Sequence, residues 1–226
     1  SVLNAMGLPN PGIEYFAKEI NEAKTIGSPI IVSVYGFSTE EFIEAARKAA
    51  EAGADALELN VSCPHVEKTG SEIGQDPKLL KTIVGAAKKE VSKPVFVKLT
   101  PNVADIVECA KAVEGGGADA ITAINSVRAM AINAETAKPI LGNKFGGLSG
   151  PAIKSIALRC VYEIYRDVKV PVIGCGGISD WRDAVEFMLA GATTVQVGTA
   201  IAFRGLDVFR SINKGIEAYL KEKDCK

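Results

Sequence analysis

The sequence predicts an α/β fold, a TIM (β/α)8 barrel whose first two strand–helix units are missing from this chain. The first observation behind this is an alternation. Six short runs rich in Val and Ile are each followed by a stretch with helical spacing of its apolar residues, which implies a parallel sheet. The second is an internal repeat. Gly53-Ala54-Asp55-Ala56-Leu57, Gly117-Ala118-Asp119-Ala120-Ile121 and Gly191-Ala192-Thr193-Thr194-Val195 each end a helix and begin a strand. Ser28-Pro29-Ile30, Lys93-Pro94-Val95 and Val170-Pro171-Val172 begin the strands between them. The two kinds alternate, so the unit is a strand–helix–strand–helix pair of roughly 65–75 residues. An open doubly wound sheet could hold six strands, whereas a closed barrel needs eight. The sequence starts with Ser1 rather than Met and opens on what reads as a site loop, so one absent pair would complete the eight. The whole of 1–226 is then expected to be a single barrel domain, incomplete at its N-terminus, with Pro171–Gly177 and Thr193–Thr199 as strands seven and eight.

Taken in order, residues 1–9 hold Asn4, Gly7 and Pro9 and read as a loop. Pro11 suits the first turn of a helix to about Lys24, with Ile13, Phe16, Ala17 and Ile20 on one face. Pro29 to Gly36 reads as a buried strand. Ser38 and Glu41 make a capping-box pattern that opens a helix, and Gly53 closes it. The alternation over Ala56–Val61 is a strand, stopped by Pro64. The polar stretch His65–Asp76 is long enough to be a lid rather than a plain connection. Asp76-Pro77 starts a helix to about Val91, and Pro94–Thr100 is a strand. A helix over about Val103–Glu114 precedes a strand over Ala118–Asn125. Residues 126–149 form a long connection, rich in Gly towards its end. Pro151 begins a helix to about Arg166, and Val170–Gly177 is a strand. Ser179 caps a helix to Leu189, and after Thr193–Thr199 a last helix spans about Asp207–Lys221.

The chain is 47% hydrophobic and 23% charged with a formal net charge of −1, which argues against nucleic acid or a membrane surface as partner. No apolar run approaches the length of a membrane span. Cys63, Cys109, Cys160, Cys175 and Cys225 form no CxxC pair, and there is one His, so no metal site is expected. Scattered thiols suit a reducing cytoplasm.

The candidate site residues gather at strand ends. Glu58-Leu59-Asn60-Val61-Ser62-Cys63-Pro64 brings an amide, a hydroxyl and a thiol to one tip, where parallel α/β proteins do their chemistry. Cys63 can exchange a proton near neutral pH with modest help, although a cysteine is more often a small buried apolar residue. Lys98 lies between Val97 and Leu99, and an inward Lys needs an anion or an electron-rich group; at a strand edge it would simply reach water. Asn60 and Asn125 occupy corresponding tips in two repeats, suited to reading a polar ring edge or to making a turn. Gly146-Gly147-Leu148-Ser149-Gly150-Pro151, Gly174-Cys175-Gly176-Gly177 and Gly198-Thr199 let backbone N–H groups approach a phosphate, or merely make tight turns.

Together these motifs resemble the dihydroorotate dehydrogenases, the class 1B catalytic subunits in particular. The resemblance rests on Asn4-Ala5-Met6-Gly7-Leu8-Pro9-Asn10-Pro11-Gly12, the 58–64 motif, Val97-Lys98-Leu99-Thr100-Pro101, Ala123-Ile124-Asn125-Ser126, Gly146 to Ile153, Gly174 to Ile178 and Gly198-Thr199. It implies an FMN-binding barrel that oxidises dihydroorotate to orotate in UMP synthesis. It implies Cys63 as the base that takes the C5 proton while hydride passes from C6 to flavin N5. Lys98 would sit by the flavin N1/O2 edge, Asn60 would touch flavin and substrate, and Ile124 would lie along the flavin. Gly150, Gly176, Gly177, Gly198 and Thr199 would hold the phosphate and ribityl chain. Asn4, Ala5, Met6, Gly7, Leu8, Asn60, Asn125 and Ser126 would form the orotate site. A partner subunit carrying FAD and an iron–sulfur cluster is implied, with electrons passing to NAD, in a homodimer or heterotetramer. The family often has Asn at His65, and Ser-Cys-Pro-His also occurs in dihydropyrimidine dehydrogenases. A related FMN barrel acting on dihydropyrimidines is therefore the alternative, and a non-catalytic phosphate-binding barrel is a third reading.

Overall fold

A computed structural model describes residues 1–62 and 73–223. In chain order the elements begin β1 (Val2–Asn4), α1 (Ile13–Lys24), β2 (Ile31–Val34), α2 (Thr39–Glu51), β3 (Ala56–Asn60), α3 (Pro77–Glu90), β4 (Val95–Leu99) and α4 (Ile106–Gly115). They continue β5 (Ala120–Ala123), β6 (Val127–Met130), β7 (Ile132–Asn133), β8 (Lys138–Pro139), β9 (Phe145–Ser149) and α5 (Lys154–Asp167). The last are β10 (Val172–Cys175), α6 (Trp181–Leu189), β11 (Thr194–Gln196), α7 (Ala200–Arg204) and α8 (Asp207–Glu222). Six strands hydrogen-bond in the order β2-β3-β4-β5-β10-β11, the expected parallel sheet. The chain falls into two compact units, one of Leu8–Thr122 with Asp167–Pro171, the other of Ser1–Gly7, Ala123–Arg166 and Val172–Lys226.

In the first unit the strands carry two different faces. Val32 and Val34 lie in register with Leu57 and Leu59, which lie in register with Val95 and Val97. All six are buried, and α2 and α3 cover this face with Phe42, Ala46, Leu80, Ile83 and Val84. Each such Leu or Ile contributes roughly 1.5–3 kcal/mol by leaving water. Side chains alternate along a strand, so the other face takes Ser33, Glu58, Asn60 and Lys98, again as register partners. Ile31, expected in a buried strand, is 48% exposed, because only alternate residues of β2 reach the helices.

The repeat makes a recurring corner. Gly53, Gly117 and Gly191 take φ of 102°, 93° and 108°. The following N–H groups of Ala54, Ala118 and Ala192 then bond back to Ala49 O, Val113 O and Phe187 O, the helix ending that a left-handed glycine allows. At the first two corners the next Asp ties down the neighbouring strand. Asp55 accepts from the Ile30 N–H (2.8 Å) and from Lys24 Nζ. Asp119 Oδ2 accepts from the Val95 N–H at 2.6 Å and from Lys88 Nζ at 2.7 Å. The third corner has Thr193 instead, and Glu114 Oε1 takes the N–H groups of Lys169 and Val170 at 2.6 and 3.2 Å.

In the second unit several expectations are corrected. Residues 2–4, expected as loop, form β1, and the connection 126–149 contains four strands. β9 is the middle of a three-stranded antiparallel sheet, β1-β9-β6, with Asn4 opposite Gly147 and Arg128 also opposite Gly147. This pairing joins residues far apart in the chain, so local patterning does not reveal it. A Cβ on Gly146 would stand 2.4 Å from Asn4 O, and one on Gly147 would stand 2.3 Å from Ser126 Oγ. These two glycines therefore permit close backbone approach inside a sheet rather than marking a loop. The cap of α6 is Asp180 rather than Ser179, with a reciprocal box to Asp183. A short helix, α7, also separates the expected last strand and last helix. Among the described residues no helix is long and apolar enough to cross a membrane.

Candidate active site

In the first unit the polar face of the sheet ends in a network. Asn60 closes β3 and Lys98 is its register partner on β4, so an amide-bearing and an ammonium-bearing residue occupy adjacent positions near two C-terminal strand ends. Asn60 Oδ1 accepts from the Ser62 N–H (3.3 Å), and Ser62 Oγ donates to Lys98 O (3.3 Å). The Lys98 side chain is 19% exposed, and its Nζ lies 3.6 Å from Glu58 Oε1. Lys98 thus points inward and meets an anion within the chain, as the burial argument requires. Thr122 Oγ1 donates to Glu58 Oε2 (2.8 Å), and Ser33 Oγ lies 3.5 Å from Oε1.

Glu58 was not singled out from the sequence. Its signal is the alternation Leu57, Glu58, Leu59, Asn60, which puts a carboxylate on the same face as Asn60. Cys63 and His65 lie outside the described residues. Leu8 O accepts from Asn10 Nδ2 and from the Tyr35 hydroxyl, both at 2.9 Å.

In the second unit the remaining candidates form two groups. Asn4 Oδ1 accepts from the Met6 N–H (3.3 Å), Gly7 has φ 76°, and Met6 is 75% exposed. Asn125 Oδ1 accepts from the Ser126 N–H at 2.7 Å. Ser126 abuts Gly147, which is the strand partner of Asn4, so Asn4 and Ser126 are brought together, while Ala5 continues the exit from β1.

The second group surrounds the turn Pro151–Ile153 that leads into α5. Gly150 has φ 87°, and a Cβ there would lie 3.1 Å from Thr199 Cγ2. Thr199 Oγ1 donates to Ser149 Oγ at 2.9 Å. Gly177, φ 79°, leaves no room for a side chain, since a Cβ would stand 2.8 Å from Lys154 N. Gly176 packs on Ala157, Ile153 and the buried Ile124. At Gly198 a Cβ would touch nothing within 4 Å, so the Cα there faces open space. Lys154 Nζ pairs with Asp183 Oδ1 (2.8 Å) and Glu186 Oε2 (2.9 Å), and these bonds raise its pKa.

Thiols in the described core are unsuited to proton transfer. Burial pushes the Cys109 thiol up to about 11, helped by Glu108, Asp105 and Asp76. Burial also raises Cys160. Among the described residues no group of acidic, His or Cys side chains could hold a metal ion.

Comparison with known proteins places these features in context. Residues 1–220 match the family model described as dihydroorotate dehydrogenase. The chain is 52% identical over 222 residues to the "Dihydroorotate dehydrogenase B (NAD(+)), catalytic subunit" of Thermococcus kodakarensis, covering 98% of this chain and 73% of that protein. It is 54% identical to the protein of the same name from Pyrococcus horikoshii, again over 98% of this chain and 73% of the relative. The one from Methanosarcina acetivorans is 52% identical, with 98% and 71% covered. A crystal structure of DHODH in complex with ferulenol from Eimeria tenella superposes with a TM-score of 0.81 at 21% identity, covering 98% of this chain and 68% of that one. That likeness is one of fold.

Proposed function

Because this chain belongs to the dihydroorotate dehydrogenase family, we propose that it oxidises dihydroorotate to orotate in UMP synthesis, with FMN as cofactor and Cys63 as base. The family is flavin-dependent, and the choice of FMN rests on the phosphate-compatible backbone of the second unit. The open space at Gly198 and the hydroxyl of the adjoining Thr199 support this; Gly150, Gly176 and Gly177, whose α-carbons pack against other parts of the chain, are assigned to the phosphate and ribityl chain by the resemblance. The observation that carries the reading is the register pairing of Asn60 with Lys98 at the strand ends.

FMN, when bound, supplies a hydride acceptor. The chain's residues do the rest. Cys63, as thiolate, removes the substrate's C5 proton. Lys98 would hold the flavin through its ammonium, as a countercharge at the N1/O2 edge. Asn60 in the first unit, and Asn4, Asn125 and Ser126 in the second, are the residues the family resemblance assigns to orienting the ring, through groups that would both donate and accept. Ala5, Met6, Gly7 and Leu8 would contribute to the substrate side, and Ile124 would help hold the flavin. On this reading the whole of 1–226 belongs to a single FMN-binding barrel domain. The name shared by the relatives, catalytic subunit of an NAD(+) enzyme, supports a partner subunit that passes electrons to NAD; that it carries FAD and an iron–sulfur cluster is what the resemblance implies. The assembly is a homodimer or heterotetramer, and its place is the cytoplasm.

The test is anaerobic reduction. Dihydroorotate should bleach the flavin of the full-length protein, and Cys63→Ala should slow bleaching by about 10²–10⁴-fold at neutral pH with flavin still bound. Normal bleaching by that variant removes Cys63 from the mechanism. Bleaching by dihydrouracil alone moves the substrate to the dihydropyrimidines, and a colourless full-length protein removes the flavin.

A further inference from the structure

The first unit holds a buried carboxylate that the proposed mechanism does not use. Glu58 is 4% exposed in the middle of a strand. A carboxylate so placed is costly unless it is paired and hydrogen-bonded. It is both. Thr122 Oγ1 donates to Oε2 at 2.8 Å, while Ser33 Oγ at 3.5 Å and Lys98 Nζ at 3.6 Å face Oε1. Hydroxyls from two other strands thus fix the carboxylate, and the carboxylate fixes the head of a lysine. Lysine needs this more than most residues, because its ammonium is a point charge on a flexible four-carbon stem.

We propose that Glu58 is a positioning residue for Lys98: it holds the ammonium on the polar face of the sheet and offsets its charge there. The inference rests on the reading of Lys98 as the cation at the flavin N1/O2 edge. Its consequence concerns redox balance. An uncompensated lysine would strongly favour the reduced, more negative flavin. With Glu58 present the pair is close to neutral, so that bias is held down and the electrons can be passed on.

The experiment uses the full-length FMN-loaded protein. Glu58→Gln keeps the shape and an acceptor for Thr122 but removes the charge. The midpoint potential of the bound flavin should become more positive by about tenfold in the reduction equilibrium, ~30 mV for a two-electron couple. A role confined to folding would lower the melting temperature and leave the potential alone. An unchanged or more negative potential with flavin bound therefore overturns the proposal. If the wild-type full-length protein binds no flavin, the reading of Lys98 falls separately. The pairing is then judged in flavin-free protein by melting temperatures of Glu58→Gln, Lys98→Met and the double variant. A double loss no greater than the larger single loss supports the hold of Glu58 on Lys98, and additive losses overturn it.

Discussion

Two thiols of the described core, Cys109 and Cys160, are buried, and burial raises both, Cys109 to about 11. Since the thiolate is the reactive form, iodoacetamide at pH 8 should leave both unmodified in native protein, and mass spectrometry of peptides checks this. Labelling of Cys109 before unfolding would mean its packing opens. Glycine substitutions separate two effects at one motif. At Gly53 an added Cβ comes no nearer than 4.0 Å to other atoms, whereas at Gly191 it would lie 2.1 Å from Tyr165 Cγ. Gly53→Ala should cost about 1–2 kcal/mol for its left-handed φ alone. Gly191→Ala should cost clearly more, and denaturant melts of the two variants decide it. Both glycines were legible as helix ends from the repeat. The tyrosine beneath one of them was not, because which side chain fills a corner depends on packing between elements.

At the scale of elements, the start of α6 is pH-sensitive. Burial opposes ionisation of Asp183, but the bonds from Lys154 Nζ and from the Ser179 and Asp180 N–H groups outweigh it and lower its pKa below 3.8. A depressed carboxyl stabilises the fold above its unfolded pKa, and the effect is lost as pH falls through the folded value. Asp183→Asn should therefore destabilise by about 1–2 kcal/mol at pH 7, with the difference shrinking below about pH 4. Thermal melts across that range test it, and a constant difference would contradict it. Helices α2 and α3 were readable from their starts: Ser38 accepts the Glu41 N–H, although Glu41 Oε2 takes the Phe37 N–H rather than that of Ser38, and Asp76 before Pro77 accepts from Lys78 and Leu79. The strands β1, β6 and β9 were not, because a Gly-Gly pair reads locally as a turn and its need for bare backbone arises from Asn4 and Ser126. The site divides the same way. Lys98 and Asn60 stood out in an apolar strand, whereas Glu58 gains meaning only once Ser33, Lys98 and Thr122 are seen around it.

At the scale of the molecule, six parallel strands followed from the repeat, because alternating strand starts need only sequence. The proposed cofactor gives the fold its own test. FMN at 100 times its Kd should stabilise flavin-stripped protein by about 2.7 kcal/mol, ~5–10 °C for a chain this size. Riboflavin, lacking the phosphate, should give a clearly smaller shift, and an equal one would take Gly150, Gly177, Gly198 and Thr199 out of phosphate binding. The recurring corners also have a handedness of charge. Asp55 and Asp119 each receive a lysine and a backbone N–H together. Exchanging the signs, with Lys24→Asp and Asp55→Lys, would preserve the mutual attraction yet strand the amide of Ile30, since an ammonium can accept nothing. Charge swaps, harmless at many surfaces, are one-way at these joints.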